Sequence, residues 1–173
     1  MAAFRSRLTT HRLPMTRRRL LAIGAVVAAL WGCRSASPAK DAGPPGHLRL
    51  LPAPPSAPDQ LAGIVAQQRL ASAALGRTLI VYVGAPWCEP CRRFHEAAEQ
   101  GRLDADFGDV DLLVFDAGPD AERLLLAGYE SRLIPLLVVP GADGRATDRR
   151  MEGSVKGDAV ADMTPRLKAL LGR

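Results

Sequence analysis

The sequence predicts an α/β fold in which a central mixed β-sheet is flanked by helices on both faces. Segments with helical spacing alternate with short apolar runs, and the last two extended segments are joined by a hairpin-type turn rather than a helix. Alternation gives parallel neighbours with helical crossovers, and a terminal hairpin adds an antiparallel pair, so the sheet is mixed.

The elements follow in order. After Asp59, read as an N-cap, Leu61, Ile64, Val65, Ala74 and Leu75 recur at helical spacing up to Gly76. Residues 78–83, Thr-Leu-Ile-Val-Tyr-Val, lack polar alternation and read as a strand buried on both faces. A turn at Gly84-Ala85-Pro86 leads to a helix starting near Cys88, with Pro90 in its first turn, and running to about Gln100. Residues 111–116 form a second strand around Leu-Leu-Val-Phe. Residues 119–128 form a short helix with Leu124, Leu125 and Leu126 packed inward, and residues 135–139 a third strand. Gly141-Ala142-Asp143-Gly144 supplies the hairpin turn to a last strand over 151–155. Residues 158–171 are helical in composition, with Pro165 either kinking that helix or opening it behind Thr164.

The start of the chain reads as an address. Arg17-Arg18-Arg19 precedes eleven apolar residues, Leu20 to Leu30, and then Trp31-Gly32-Cys33. Eleven residues at ~1.5 Å each fall short of the ~30 Å hydrocarbon layer but suit the apolar centre of a signal peptide. Leu30-Trp31-Gly32-Cys33 resembles the bacterial lipoprotein box, which implies lipidation of Cys33 and a membrane-anchored protein facing the periplasm. Residues 1–32 are then the signal peptide. Twin-arginine and general secretory routes both fit the arginine cluster, and both the inner and the outer membrane stay open. Met15 directly precedes the compact signal, so residues 1–14 read as an overlong n-region or a misplaced start. The competing reading is an uncleaved anchor with a free thiol at Cys33. Residues 33–58 hold seven of the fourteen prolines and read as an extended Pro/Ala-rich linker, leaving 59–173 as the folded domain.

Charge excludes one class of partner. The formal charge of +5 is misleading, because six arginines precede Cys33 and the rest of the chain holds 17 basic against 18 acidic residues. A near-neutral body lacks the basic field that binding a phosphate backbone needs, so no nucleic-acid partner is expected.

Cys88-Glu89-Pro90-Cys91 stands at the junction of a buried strand and a helix. Cysteines three apart at a helix start face the same way, and the unsatisfied N–H groups and dipole there favour thiolate, the attacking species. Cys88 is assigned as nucleophile and Cys91 as resolving thiol. Pro90 limits the loop, and Glu89 places a negative charge that partly opposes the helix effect. With Cys33 lipidated, the third cysteine is accounted for and no odd thiol remains.

Ala85-Pro86-Trp87-Cys88-Glu89-Pro90-Cys91 resembles the Trp-Cys-x-x-Cys segment of thioredoxins, and Tyr129, Arg132, Ile134 and Pro135 are similar to that family's loop before its cis-proline. The resemblance covers roughly 59–172. It implies a thioredoxin-like fold, a cis Pro135 facing the disulfide, a substrate-pairing edge at Ile134, a groove-lining Gly153 and substrate contact at Trp87. It implies a thiol–disulfide oxidoreductase that needs no cofactor beyond the Cys88–Cys91 disulfide. Its partners would be exported protein thiols and disulfides and a membrane electron donor or acceptor, with the protein itself a monomer. Ile134 is the residue of reducing thioredoxins, and Glu-Pro between the cysteines is similar to the membrane-anchored TlpA/ResA-like group, which reduces apocytochrome c and other exported proteins. Tyr82 stands where thioredoxins carry a buried aspartate.

Other readings of the same residues stay open. Cys88 and Cys91 with His95 make three ligands of a zinc site, one short of a structural set, and no metal is expected. His95 reads alternatively as a solvated helix residue or one that tunes a thiol. The pair could form a disulfide without turnover. Pro135 could be trans and Trp87 a cover for the sulfurs. At the level of function, the alternatives are a non-catalytic binding or chaperone module and a disulfide-donating oxidase.

Overall fold

The computed structural model describes residues 46–173. The predicted signal segment 1–32, the predicted lipidation residue Cys33 and the first part of the predicted linker, to residue 45, lie outside them. Five strands form one sheet: β1 (Arg49–Pro52), β2 (Thr78–Gly84), β3 (Val110–Asp116), β4 (Leu136–Val138) and β5 (Arg150–Glu152), in the order β1-β3-β2-β4-β5. The first three are parallel, whereas β4 is antiparallel to β2 and β5 to β4. The sheet is mixed, as the alternation and terminal hairpin predict.

Five helices accompany it: α1 (Leu61–Ala74), α2 (Glu89–Glu99), α3 (Asp104–Phe107), α4 (Ala121–Leu126) and α5 (Ala159–Leu171). The two-residue period of the strands sorts the core into two layers. Ile80, Tyr82, Leu112, Leu137 and Met151 pack with Phe94 and Ala97 of α2 and Met163 and Leu167 of α5. The alternate residues Leu79, Val81, Val83, Leu113, Phe115, Leu136 and Val138 pack with Leu61 and Val65 of α1 and Leu124 of α4. Helices therefore cover both faces. The residues of β2 from Leu79 onward are all buried, which is why that strand reads as a continuous apolar run.

Several expectations need correction. The linker does not extend to residue 58. Arg49–Pro52 is an edge strand pairing in parallel with Arg49 opposite Asp111 and Pro52 opposite Val114, and Pro52 is tolerated because it closes an edge. Leu48 is buried, and its N–H donates to Oδ1 of Asp104 at 2.9 Å. A single 3-10 turn, Pro58–Gln60, leads into α1 with no side-chain cap, so Asp59 is not the N-cap. Of the three leucines of α4 only Leu124 is buried; Leu125 and Leu126 are exposed, since consecutive helical residues lie about 100° apart and three in a row cannot share one face. The last strand ends at Glu152, because Gly153 turns to φ 64°. Asp158 caps α5 by accepting from the N–H of Ala161 at 3.2 Å, so the helix opens there and Pro165 lies inside it.

The N-terminal ends of the central strands are tied by a buried charge network. Asp111, fully buried, accepts from Arg49 Nε at 2.7 Å, Arg77 Nε at 2.6 Å and Ser72 Oγ at 2.6 Å. Burial pushes its carboxyl up, but the hydrogen bonds from Arg49, Ser72 and Arg77 outweigh it and hold the group below the usual carboxylate range. Arg77 also donates to the carbonyls of His47, Gly108 and Val110, stitching the first residues of the fold to the end of α3 and the start of β3.

Candidate active site

At the opposite end, β2 delivers the chain through Gly84 to Trp87 and into α2. Cys88 is the N-cap of α2, with φ −83° and ψ 107°, and Pro90 is buried in the first turn, where its missing N–H costs the helix nothing. Cys88 and Cys91 are joined as a disulfide, with their Cα atoms 5.3 Å apart. The N–H of Cys91 points at the Cys88 sulfur, 3.3 Å away, in the position of an N-capping donor. In the dithiol form that donor and the helix dipole both favour a thiolate at Cys88 over one at Cys91.

Ile134-Pro135 is a cis peptide bond, and Sγ of Cys88 lies 3.8 Å from the Ile134 carbonyl oxygen. Ala85, Cys88 and Cys91 pack together, with Ala117 and Ile134 against them. Gly153 stands across from Pro135, its N–H donating to the Pro135 carbonyl at 2.9 Å. Its φ of 64° is left-handed, which favours glycine, and a Cβ there would sit a tight 3.3 Å from the Leu133 side chain. Cys88, Ile134, Pro135 and Gly153, separate in sequence, are thus brought to one place.

Trp87 is 77% exposed beside the almost buried cysteines. Leu133 and Val155 are exposed too, Leu133 next to Ile134 and in reach of Gly153, Val155 on the loop that follows Gly153. Exposed large apolar side chains thus stand on three segments around the disulfide. Neither Leu133 nor Val155 stands out in the sequence: Leu133 merges into the apolar run that leads into β4, and Val155 is one apolar residue among polar neighbours.

Glu89 does not act as a free negative charge. Its carboxylate accepts from Arg93 Nε at 2.5 Å, and that hydrogen bond holds it below the usual range, so its negative charge is paired with a guanidinium. Tyr129 is structural: its buried hydroxyl donates to the Gly144 carbonyl at 2.8 Å, and burial pushes the phenol up. Arg132 is exposed. Tyr82 is buried under α2 and donates to the Cys91 carbonyl at 3.1 Å.

A cleft of about 710 Å³ opens between α2 and the C-terminal ends of β1 and β3, with Cys91, Tyr82, His95 and Glu99 among its walls. Among the described residues no three His, Cys, Asp or Glu side chains are arranged to hold a metal ion, and no helix is long and apolar enough to cross a membrane. No family model matches the chain, and no curated protein matches it.

Proposed function

We propose that the chain is a thiol–disulfide oxidoreductase of thioredoxin-like fold, a protein-disulfide reductase held on the extracytoplasmic side of the membrane through Cys33. The observation that carries the reading is the Cys88–Cys91 disulfide at the N-terminus of α2, facing the cis Ile134-Pro135 peptide with 3.8 Å between the Cys88 sulfur and the Ile134 carbonyl.

The chemistry follows from that arrangement. The Cys88 thiolate attacks one sulfur of a substrate disulfide; the substrate S–S bond breaks, a mixed disulfide forms, and one substrate thiolate leaves and takes a proton. The Cys91 thiolate then attacks Cys88 Sγ, forming the intramolecular disulfide and releasing the second substrate thiol. Two electrons and two protons pass from the protein dithiol to the substrate, and a membrane-bound dithiol donor resets the pair. The Ile134 backbone offers an edge on which an extended substrate segment can pair. Trp87, Leu133 and Val155 supply apolar contact around it.

The test is a trapping experiment. With Cys91→Ser, incubation with a peptide disulfide is expected to accumulate a covalent adduct at Cys88, seen by mass spectrometry and reversed by dithiothreitol. With Cys88→Ser no adduct forms. An adduct at neither cysteine in either variant contradicts the reading and leaves a binding module.

A further inference from the structure

Cys91 must lose its proton before it can attack, yet it is only 3% exposed. It lines the cleft beside α2, and the other groups lining that cleft are candidates to take the proton. Tyr82, on β2, cannot: its hydroxyl is spent on the Cys91 carbonyl, and burial pushes the phenol upward, holding it protonated. From β3 and the turn before α4, Asp116 and Asp120 face the cleft but are engaged locally. Asp116 accepts from the Gly118 N–H at 2.9 Å, and Asp120 accepts from the Asp116 N–H at 2.8 Å and from Arg123 at 2.7 Å. On α2, Arg92 has no acceptor atom. The cleft walls from β1, Leu50, Pro52 and Ala53, are apolar. There remain His95, Glu96 and Glu99 of α2.

His95 follows Cys91 by four residues, so the two share one helix face, whereas Glu96 is turned a further 100° or so. Nδ1 of His95 lies 3.3 Å from Oε1 of Glu99. A carboxylate beside Nδ1 keeps the proton of a neutral imidazole there and leaves Nε2 as acceptor. The geometry points to His95, oriented by Glu99, as the proton relay for Cys91, acting through water in the cleft.

In the resolving step the Cys91 S–H bond breaks, its proton passing by water to Nε2 of His95. The Cys91–Cys88 bond forms, the bond from Cys88 to the substrate sulfur breaks, and the departing substrate thiolate takes a proton from solvent. In the reverse direction His95 returns the proton to the nascent Cys91 thiolate. This assignment rests on the oxidoreductase reading.

The reduced protein reacting with excess 5,5′-dithiobis(2-nitrobenzoate) separates the two. Stopped-flow absorbance follows a first thiolate released by Cys88 and a second by Cys91. His95→Gln is expected to slow the second release at pH 7 by at least about tenfold, less than the ~10²–10⁴-fold typical of general acid–base catalysis because the cleft still admits water. It is also expected to flatten the pH dependence of the second release relative to wild type, which loss of a merely structural residue would not do. Glu99→Gln should weaken both features, and Glu96→Gln should leave them. A His95→Gln profile that matches wild type, or the same loss in Glu96→Gln alone, overturns the assignment. Failure of the wild-type protein to give a second release would overturn the oxidoreductase reading itself.

Discussion

The two ends of the central strands treat buried polar chemistry in opposite ways. At the N-terminal end, Asp111 is sealed from solvent and its lone pairs are met by Arg49, Arg77 and Ser72, so the charge is fixed. At the C-terminal end, Cys88 and Cys91 lie among Ala85, Ala117 and Ile134, with few polar partners, a cleft on one side and exposed Trp87 on the other. One end is saturated and inert. The other leaves two sulfurs with few polar partners beside a cleft, the condition that the proposed chemistry with a second molecule needs. The parallel strands β2 and β3 span both, so the first end holds rigid what the second presents.

The comparison can be broken from either side. The largest effect is expected at the cysteines: Cys88→Ser should reduce disulfide reduction, followed by thiol release from a peptide disulfide, to the uncatalysed rate. Its stability should fall by less than about 2 kcal/mol, because the ring closed by the pair is so short. Asp111→Ala reverses the pattern. It leaves two guanidinium groups facing an empty buried site and should cost about 3 kcal/mol or more by urea unfolding, with the thiol reactivity of the surviving folded fraction unchanged.

Acid should act on the same end. The Asp111 carboxyl is lowered in the folded state, as are Asp104 and Asp109. Groups that bind protons more weakly when folded than at the unfolded ~3.9 stabilise fully above that value and less as pH falls through their folded values. Stability measured by urea midpoint should therefore be flat above about pH 5 and decline below it, and Asp111→Asn should flatten part of that decline.

Smaller effects sharpen the contrast. Gly153→Ala forces a side chain into a left-handed conformation against Leu133 and should cost about 1–2 kcal/mol while weakening substrate contact. Leu126→Gln, on the exposed side of α4, should shift the urea midpoint by less than about 0.5 kcal/mol equivalent.

Where local chemistry was concentrated, the sequence disclosed it. The uninterrupted run of β2 reports burial on both faces, and Cys88 to Cys91 with Pro90 reports a helix start, because each signal occupies adjacent residues. The parts that were not legible depend on distant partners. Arg49–Pro52 is a four-residue strand inside a proline-rich stretch, made a strand by pairing with β3 across some sixty residues. Leu125 and Leu126 look like core until the face of α4 is known. The cleft joining Cys91, Tyr82 and His95 is a product of how α2 lies over β1 and β3, and no local pattern encodes it. Residue types at the site could be read; their exposure could not.

The most direct test of the account is the equilibrium of the protein with glutathione buffers of defined potential, following the Cys88–Cys91 couple by thiol alkylation and tryptophan fluorescence. A single reversible two-electron couple near the ~−270 mV of thioredoxin is the predicted result. A couple near ~−120 mV would contradict the reductase assignment in favour of a disulfide donor, and no reversible couple at all would contradict the redox role of the site.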